Sequence, residues 1–252
     1  MSKVKISAVS YTNTFPFIYG LENSGIINQI ELSKDIPSIC AQKLLENKVD
    51  LGLIPVAVLP MLMHSEIISD YCIGASGPVR SVILASNKPL DQIGTIYLDY
   101  HSRSSVMLTQ ILAKKFWNIE VKWNGTKEGF ESKVKENEAA VIIGDKALAS
   151  EKNFPYIYDL AEEWIKNTGL PFVFAAWVTT KDVGESFRNE FNVALKYGLD
   201  HLDDMISAYD LSFLPKHIDP KIYLEKNIDY SLDDDKIKGL NLFLDYANEF
   251  KL

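Results

Sequence analysis

Through residue 59 the chain switches back and forth between two hydrophobic periods, and that switching narrows the folds open to it. "VKISAV" (residues 4–9) reads as a strand, "FPFIYGLENSG" as a short helix ending at Gly25, and "INQIELS" as a second strand. After Pro37 and Ser38, "SICAQKLLENKVD" carries apolar residues at helical spacing and leads into the buried-strand run "LGLIPVAVL". No hairpin signal interrupts this βαβαβ start. A largely parallel sheet covered on both faces is predicted.

The texture changes at "YCIGASGPVRSVILAS", where two strand-like runs flank Gly74, Gly77 and Pro78. A second alternation then follows: strand "TIYLDY", helix "SSVMLTQILAKKFW", strand "IEVKW", helix "GFESKVKENE" (129–138) and strand "AAVIIGD". "FVFAAWVTT" is one more long strand, and from about Val183 the chain reads almost wholly as helix. Two α/β sets joined by strand-like crossings predict two lobes with a ligand cleft between them. Lobe 1 is expected over 1–84 and 178–252, with the helical C-terminus, and lobe 2 over 85–177. A single doubly wound domain is the structural alternative.

Composition matters here for what it excludes. A net charge of -8 argues against a nucleic-acid or anionic-membrane binder, since those partners reward clustered Lys and Arg. An anionic small molecule would need a local positive field from one arginine or a helix N-terminus. No apolar run approaches the roughly 20 residues that span a bilayer. The start "MSKVKISAVSYTNTF" carries no export signal, and with two cysteines, Cys40 and Cys72, a cytoplasmic location is expected. The oligomeric state is not legible.

Familiar catalytic signatures are missing. There is no phosphate loop, no G-x-G-x-x-G after a strand and no G-x-S-x-G elbow, and His64, His101, His201 and His217 have no paired spacing. No metal and no cofactor are therefore expected. What remains is polar residues at strand ends, where an open α/β sheet presents ligand sites. "SYTNTFPF" places Thr12 and Asn13 after the first strand, as ligand groups or as helix caps. "SGPVRS" places Arg80 and Ser81 at a crossing or a Gly-Pro turn. "HSRSS" sets Ser102, Arg103, Ser104 and Ser105 at a helix start, where N–H groups, hydroxyls and the helix dipole suit a carboxylate. "IGDKA" with Gly144 and Asp145, and "NTGLP" with Thr168 and Gly169, read equally as site loops or turns.

Taken in order, "VSYTNTFPFIYGL", "DLGLIPVA", "GPVRSVIL", "LDYHSRSS", "VIIGDKAL" and "DLAEEWIKNTGLPFVFAAW" resemble the chorismate dehydratases that open the futalosine route to menaquinone. The resemblance covers roughly residues 4–180. It departs at Ser104, more often threonine in the family, and at Thr12, where leucine is usual; neither change removes a hydrogen-bonding group. The resemblance implies a type 2 periplasmic-binding-protein-like fold and a dicarboxylate substrate, chorismate, dehydrated to 3-[(1-carboxyvinyl)oxy]benzoate. It implies Asn13 and Ser81 at the reacting ring. Ser102, Arg103, Ser104 and Ser105, with Gly144, Asp145, Thr168 and Gly169, are implied as substrate-binding. Arg103 either joins the substrate or pairs with Asp99 or Asp145 and holds the loop. The alternatives are a sister dihydroxynaphthoate synthase, expected to carry a histidine near "IGD", and a non-catalytic solute-binding protein for a small carboxylate.

Overall fold

The computed structural model describes residues 3–127, 129, 130 and 134–250. In chain order the first unit supplies β1 (Val4–Val9), α1 (Phe15–Glu22), β2 (Ile30–Asp35), α2 (Pro37–Leu45), β3 (Leu51–Pro55) and β4 (Glu66–Ala75). The chain crosses to a second unit of β5 (Val82–Ser86), β6 (Thr95–Leu98), α3 (Ser104–Ile111), β7 (Lys122–Gly125), β8 (Glu138–Ile143), α4 (Asp145–Ser150), β9 (Tyr156–Asp159) and α5 (Leu160–Thr168). It returns as β10 (Phe172–Thr179) and closes with α6 (Glu185–Asp200), α7 (Leu202–Ala208), α8 (Pro220–Ile222), β11 (Asp229–Ser231) and α9 (Asp234–Phe250).

Two sheets result, ordered β11-β4-β10-β3-β1-β2 and β7-β6-β8-β5-β9. Among the described residues, parallel pairing is confined to β1 with β2 and β3, and to β6 with β7 and β8. β10 returns antiparallel between β3 and β4, and β5 runs antiparallel between β8 and β9. The largely parallel sheet expected from the βαβαβ start is thus a mixed one, because each crossing strand enters its sheet against the local direction. Every residue of β3, β5 and β10 is buried, which is why those runs read as continuously apolar.

The strands also set the crossings. Val82–Ser86 pairs wholly within the second sheet and Phe172–Thr179 wholly within the first, so the chain changes sheets at 76–81 and 169–171. The boundaries expected at 84/85 and 177/178 both cut through strands. The expected helix over 129–138 lies partly outside the described residues; of the rest, 136–137 form a turn and Glu138 opens β8. The strand expected over 51–59 stops at Pro55, where helical turns take over to Met61.

Local chemistry explains the helix starts and stops near the cleft. Pro37 occupies the first turn of α2, where no N–H is missed, and Cys40, Ala41 and Leu44 face the core. Asp159 caps α5 by accepting from Ala161 N and Glu162 N, and Gly169 ends it at φ 74°. α1, which follows the Asn13 turn, lies backbone to backbone on α6. A Cβ at Gly20 would stand 2.0 Å from Ala194 O, and one at Gly198 would stand 1.8 Å from Pro16 O. Only glycine at both positions lets α1 sit there.

Candidate active site

A cavity opens between the two sheets. The first unit lines it with Val9, Tyr11, Asn13, Thr14, Pro37, Pro55 and Ile73, and β10 adds Phe174 and Ala175. The second unit contributes Ser81, Val82, Ser102, Ser104, Ser105, Ile143 and Gly144. The side formed by the first unit and β10 is thus mostly apolar, with Asn13 and Thr14 set into it, and the opposite side carries four serines. Among the described residues, no Lys, Arg or His lines it.

Asn13 is nearly buried, in a single helical turn between β1 and α1. Its Oδ1 accepts from Thr14 Oγ1 at 3.2 Å, and its main-chain oxygen accepts from Tyr230 Oη at 2.9 Å. Ser81 is fully buried at the first crossing. The preceding Arg80 adopts a left-handed conformation, φ 61°, held by its N–H to Asp159 Oδ2 at 2.6 Å and by a two-pronged guanidinium pair with Glu151 at 2.8 and 2.7 Å. That pairing turns Arg80 away from ligand duty. It leaves Ser81 with a long 3.4 Å contact from its hydroxyl to Val79 O.

The serine cluster divides by role. Ser102 Oγ accepts from Ser105 N at 3.0 Å and so caps α3. Ser104 Oγ donates to Phe174 O at 2.8 Å and accepts from Ala57 N at 3.2 Å, which ties α3 of the second unit to the first. Ser105 Oγ makes no hydrogen bond among the described residues. Arg103 is exposed, with Nη1 3.6 Å from Met61 Sδ, and among the described residues it forms no ion pair with Asp99 or Asp145.

Further contacts cross the cleft. Tyr11 Oη lies 2.8 Å from His101 Nδ1, and Thr12 N donates to the Asp145 carboxylate at 3.3 and 3.4 Å. Gly144 has φ 65° and ψ -149°, and a Cβ there would meet the Tyr11 ring at 2.9 Å. Gly144 N also donates to Ser81 O at 2.8 Å, which ties the end of β8 to the crossing. Burial holds the Tyr11 phenol well above the usual tyrosine range, the Asp99 and Asp145 carboxylates adding to it. Burial likewise raises Asp99, which accepts from His101 N at 2.8 Å and Ile143 N at 3.3 Å, and it raises Asp145 against the lowering effect of Thr12.

Of the residues expected at the site, Asn13, Ser81, Ser102, Ser104, Ser105 and Gly144 converge on the cavity. Asp145 stands beside it as a cross-cleft acceptor and Arg103 outside its lining. Thr168 and Gly169 do not line it. Thr168 Oγ1 donates to Trp164 O at 2.8 Å and accepts from Leu170 N at 3.2 Å, so both residues end α5 and start the return crossing. Tyr11 stands at the strand end that the sequence marks with "SYTN", whereas nothing in the sequence points to the C-terminal Tyr223 and Tyr230. The two C-terminal tyrosines carry no local signal, because their segment reads as ordinary helix.

A family profile described as menaquinone biosynthesis matches residues 4–249. Among solved structures, a protein from Archaeoglobus fulgidus is similar with a TM-score of 0.75 at 12% identity, covering 99% of this chain and 98% of that one. The periplasmic aliphatic sulphonate binding protein of Escherichia coli is similar with a TM-score of 0.62 at 12% identity, covering 100% of this chain and 88% of its own. A Candida albicans protein described as having the generic periplasmic binding protein fold gives 0.62 at 13% identity, over 99% and 91%. At these identities the likeness shows the fold alone. The fold is the two-lobed α/β, periplasmic-binding-protein-like one that the sequence led us to expect.

Proposed function

The chain belongs to the menaquinone biosynthesis family, and on that premise we propose that it is a chorismate dehydratase, a cofactor-independent carbon–oxygen lyase working in the cytoplasm. The observation that carries this reading is the convergence of Asn13, Ser81, Ser102 and Ser105, from three separate motifs, on one cavity with an apolar face.

The reaction fits such a site. Chorismate loses the proton on its ether-bearing ring carbon and the hydroxyl on the neighbouring carbon; one water leaves, and the ring becomes aromatic with the enolpyruvyl group retained. The proton is acidified through a ring double bond by the ring carboxylate, onto which negative charge spreads. Aromatisation supplies driving force, so orientation and charge stabilisation matter more than a strong base. In this reading the ring lies on Ile73, Phe174 and Ala175, with Asn13 and Ser81 at the reacting carbons. The Ser102 and Ser105 hydroxyls and the α3 N-terminus take a carboxylate. Arg103, outside the lining, draws the dianion toward the mouth. Asn is a poor base, and a carboxylate of the substrate itself is the group we assign to take the proton.

The test is to mix the purified protein with chorismate and follow products by liquid chromatography and mass spectrometry. A product lighter by one water with the enolpyruvyl group intact is expected. Asn13→Ala and Ser81→Ala should each cut kcat by about 100-fold or more with native circular dichroism. Intact chorismate that binds saturably would favour a solute-binding role instead, and no binding would overturn the substrate assignment.

A further inference from the structure

Asn47, Arg80 and Asn118 are the non-glycine residues with positive φ among those described. Asparagine tolerates that region through its short polar side chain, whereas arginine gains no such relief. At Arg80 the backbone is bent further still. Ser81 N donates to Val79 O at 2.7 Å and closes a three-residue turn centred on Arg80 at φ 61°, the rare and strained form of that turn. The residue that follows the bend, Ser81, lines the cavity, and its main-chain oxygen accepts from Gly144 N at 2.8 Å. Two carboxylates of the second unit hold the bend. Asp159 Oδ2 accepts from Arg80 N at 2.6 Å while its Oδ1 accepts from Ala161 N at 3.0 Å and Glu162 N at 3.1 Å. Glu151, directly after α4, takes Nε and Nη2 of the Arg80 guanidinium at 2.8 and 2.7 Å. Arg80 itself does not line the cavity. Strain of this kind persists only where the surroundings over-determine it, and it gathers at functional sites.

We propose that Glu151 and Asp159 are positioning residues: they clamp Arg80 in a left-handed turn that an arginine does not favour, and that turn aims the Ser81 hydroxyl at the substrate. The inference rests on the chorismate dehydratase reading and deepens it. The Ser81 hydroxyl has only a 3.4 Å contact to Val79 O of its own, so the twist of the preceding residue decides where it sits. A relaxed Arg80 would rotate the start of β5 and carry the hydroxyl off the reacting carbon.

The experiment separates the twist of the turn from the ion pair. Arg80→Gly with Glu151→Gln and Arg80→Ala with Glu151→Gln both lack the pair, but glycine takes φ 61° freely and alanine does not. The glycine variant should turn chorismate over with a kcat about 10-fold or more above the alanine variant, since misaiming a reacting group acts on the chemical step. Their KM values should agree within about 3-fold, with matching circular dichroism spectra. Equal kcat in the two, or a difference carried by KM alone, would overturn the role. Should the alanine variant fail to fold, Asp159→Asn replaces it: one amide oxygen still caps α5, while an NH2 now meets Arg80 N–H. Its kcat should fall by about 10-fold and recover when Arg80→Gly is added, because the carboxylate acts through that turn. No fall, or a fall that glycine leaves in place, would overturn the role. Wild-type protein that leaves chorismate unchanged defeats the functional reading and this role with it, whereas active wild type beside an equally active alanine variant defeats the role of the clamp alone.

Discussion

Ser104 and Ser105 are neighbours in sequence and differ in what their hydroxyls do. Ser104 spends both donor and acceptor on joining α3 to Phe174 O and Ala57 N, while Ser105 Oγ stays uncommitted among the described residues and lines the cavity. Ser104→Ala should therefore cost about 1–3 kcal/mol in urea unfolding, the penalty for leaving buried partners unpaired. Ser105→Ala should leave unfolding nearly unchanged and raise KM for chorismate about 10-fold, read from steady-state kinetics. Asp145 gives a pH signature. Burial raises its folded-state pKa above the ordinary 3.8, so between the two values the native state holds more protons than the unfolded state. Stability present below 3.8 is then lost as pH rises through the folded value. Asp145→Asn keeps an acceptor for Thr12 N and cannot ionise. Its unfolding free energy should gain on wild type as pH rises from about 4 to 7; a constant difference across that range would contradict the assignment.

At the scale of elements, the α1–α6 contact decides where the Asn13 turn sits. Gly198→Ala would put a methyl 1.8 Å from Pro16 O, a clash with backbone rather than with a side chain that can turn aside. About 1–3 kcal/mol of destabilisation is expected by urea titration, the usual cost of overpacking. Because Pro16 lies three residues after Asn13, turnover should fall as well. Substitution at Gly25, where nothing stands within 4 Å of an added Cβ, should do neither. The strand–helix order of the first unit was legible because β1 and β3 carry strong period or burial signals, β5 and β10 stood out in the same way, and the start of α2 followed from Pro37. Strand direction was not. Whether β10 runs with or against β3 depends on where the crossing delivers it, which no local pattern encodes.

For the whole molecule, the two sheets close on one cavity through Tyr11 with His101, Thr12 with Asp145, and Ser104 with Phe174 and Ala57. A ligand held between lobes that already touch should stabilise them as one unit. The dehydration product at 100 times its Kd should raise the unfolding free energy by about 2.7 kcal/mol in a single transition; an unchanged transition would show that the product does not bind the folded chain. The sequence by itself determined the α/β class and the two-sheet division, and six of the ten residues it named line the cavity, since hydrophobic period, turn chemistry and motif order are local properties. It led astray at Thr168 and Gly169, whose motif belongs to a crossing and not to the cavity. It was silent on Tyr230. Tertiary structure alone decided those points, because bringing Tyr230 against the main chain of Asn13 takes the packing of a distant C-terminal segment onto the turn after β1, and a contact over that separation leaves no trace in the residues on either side of it.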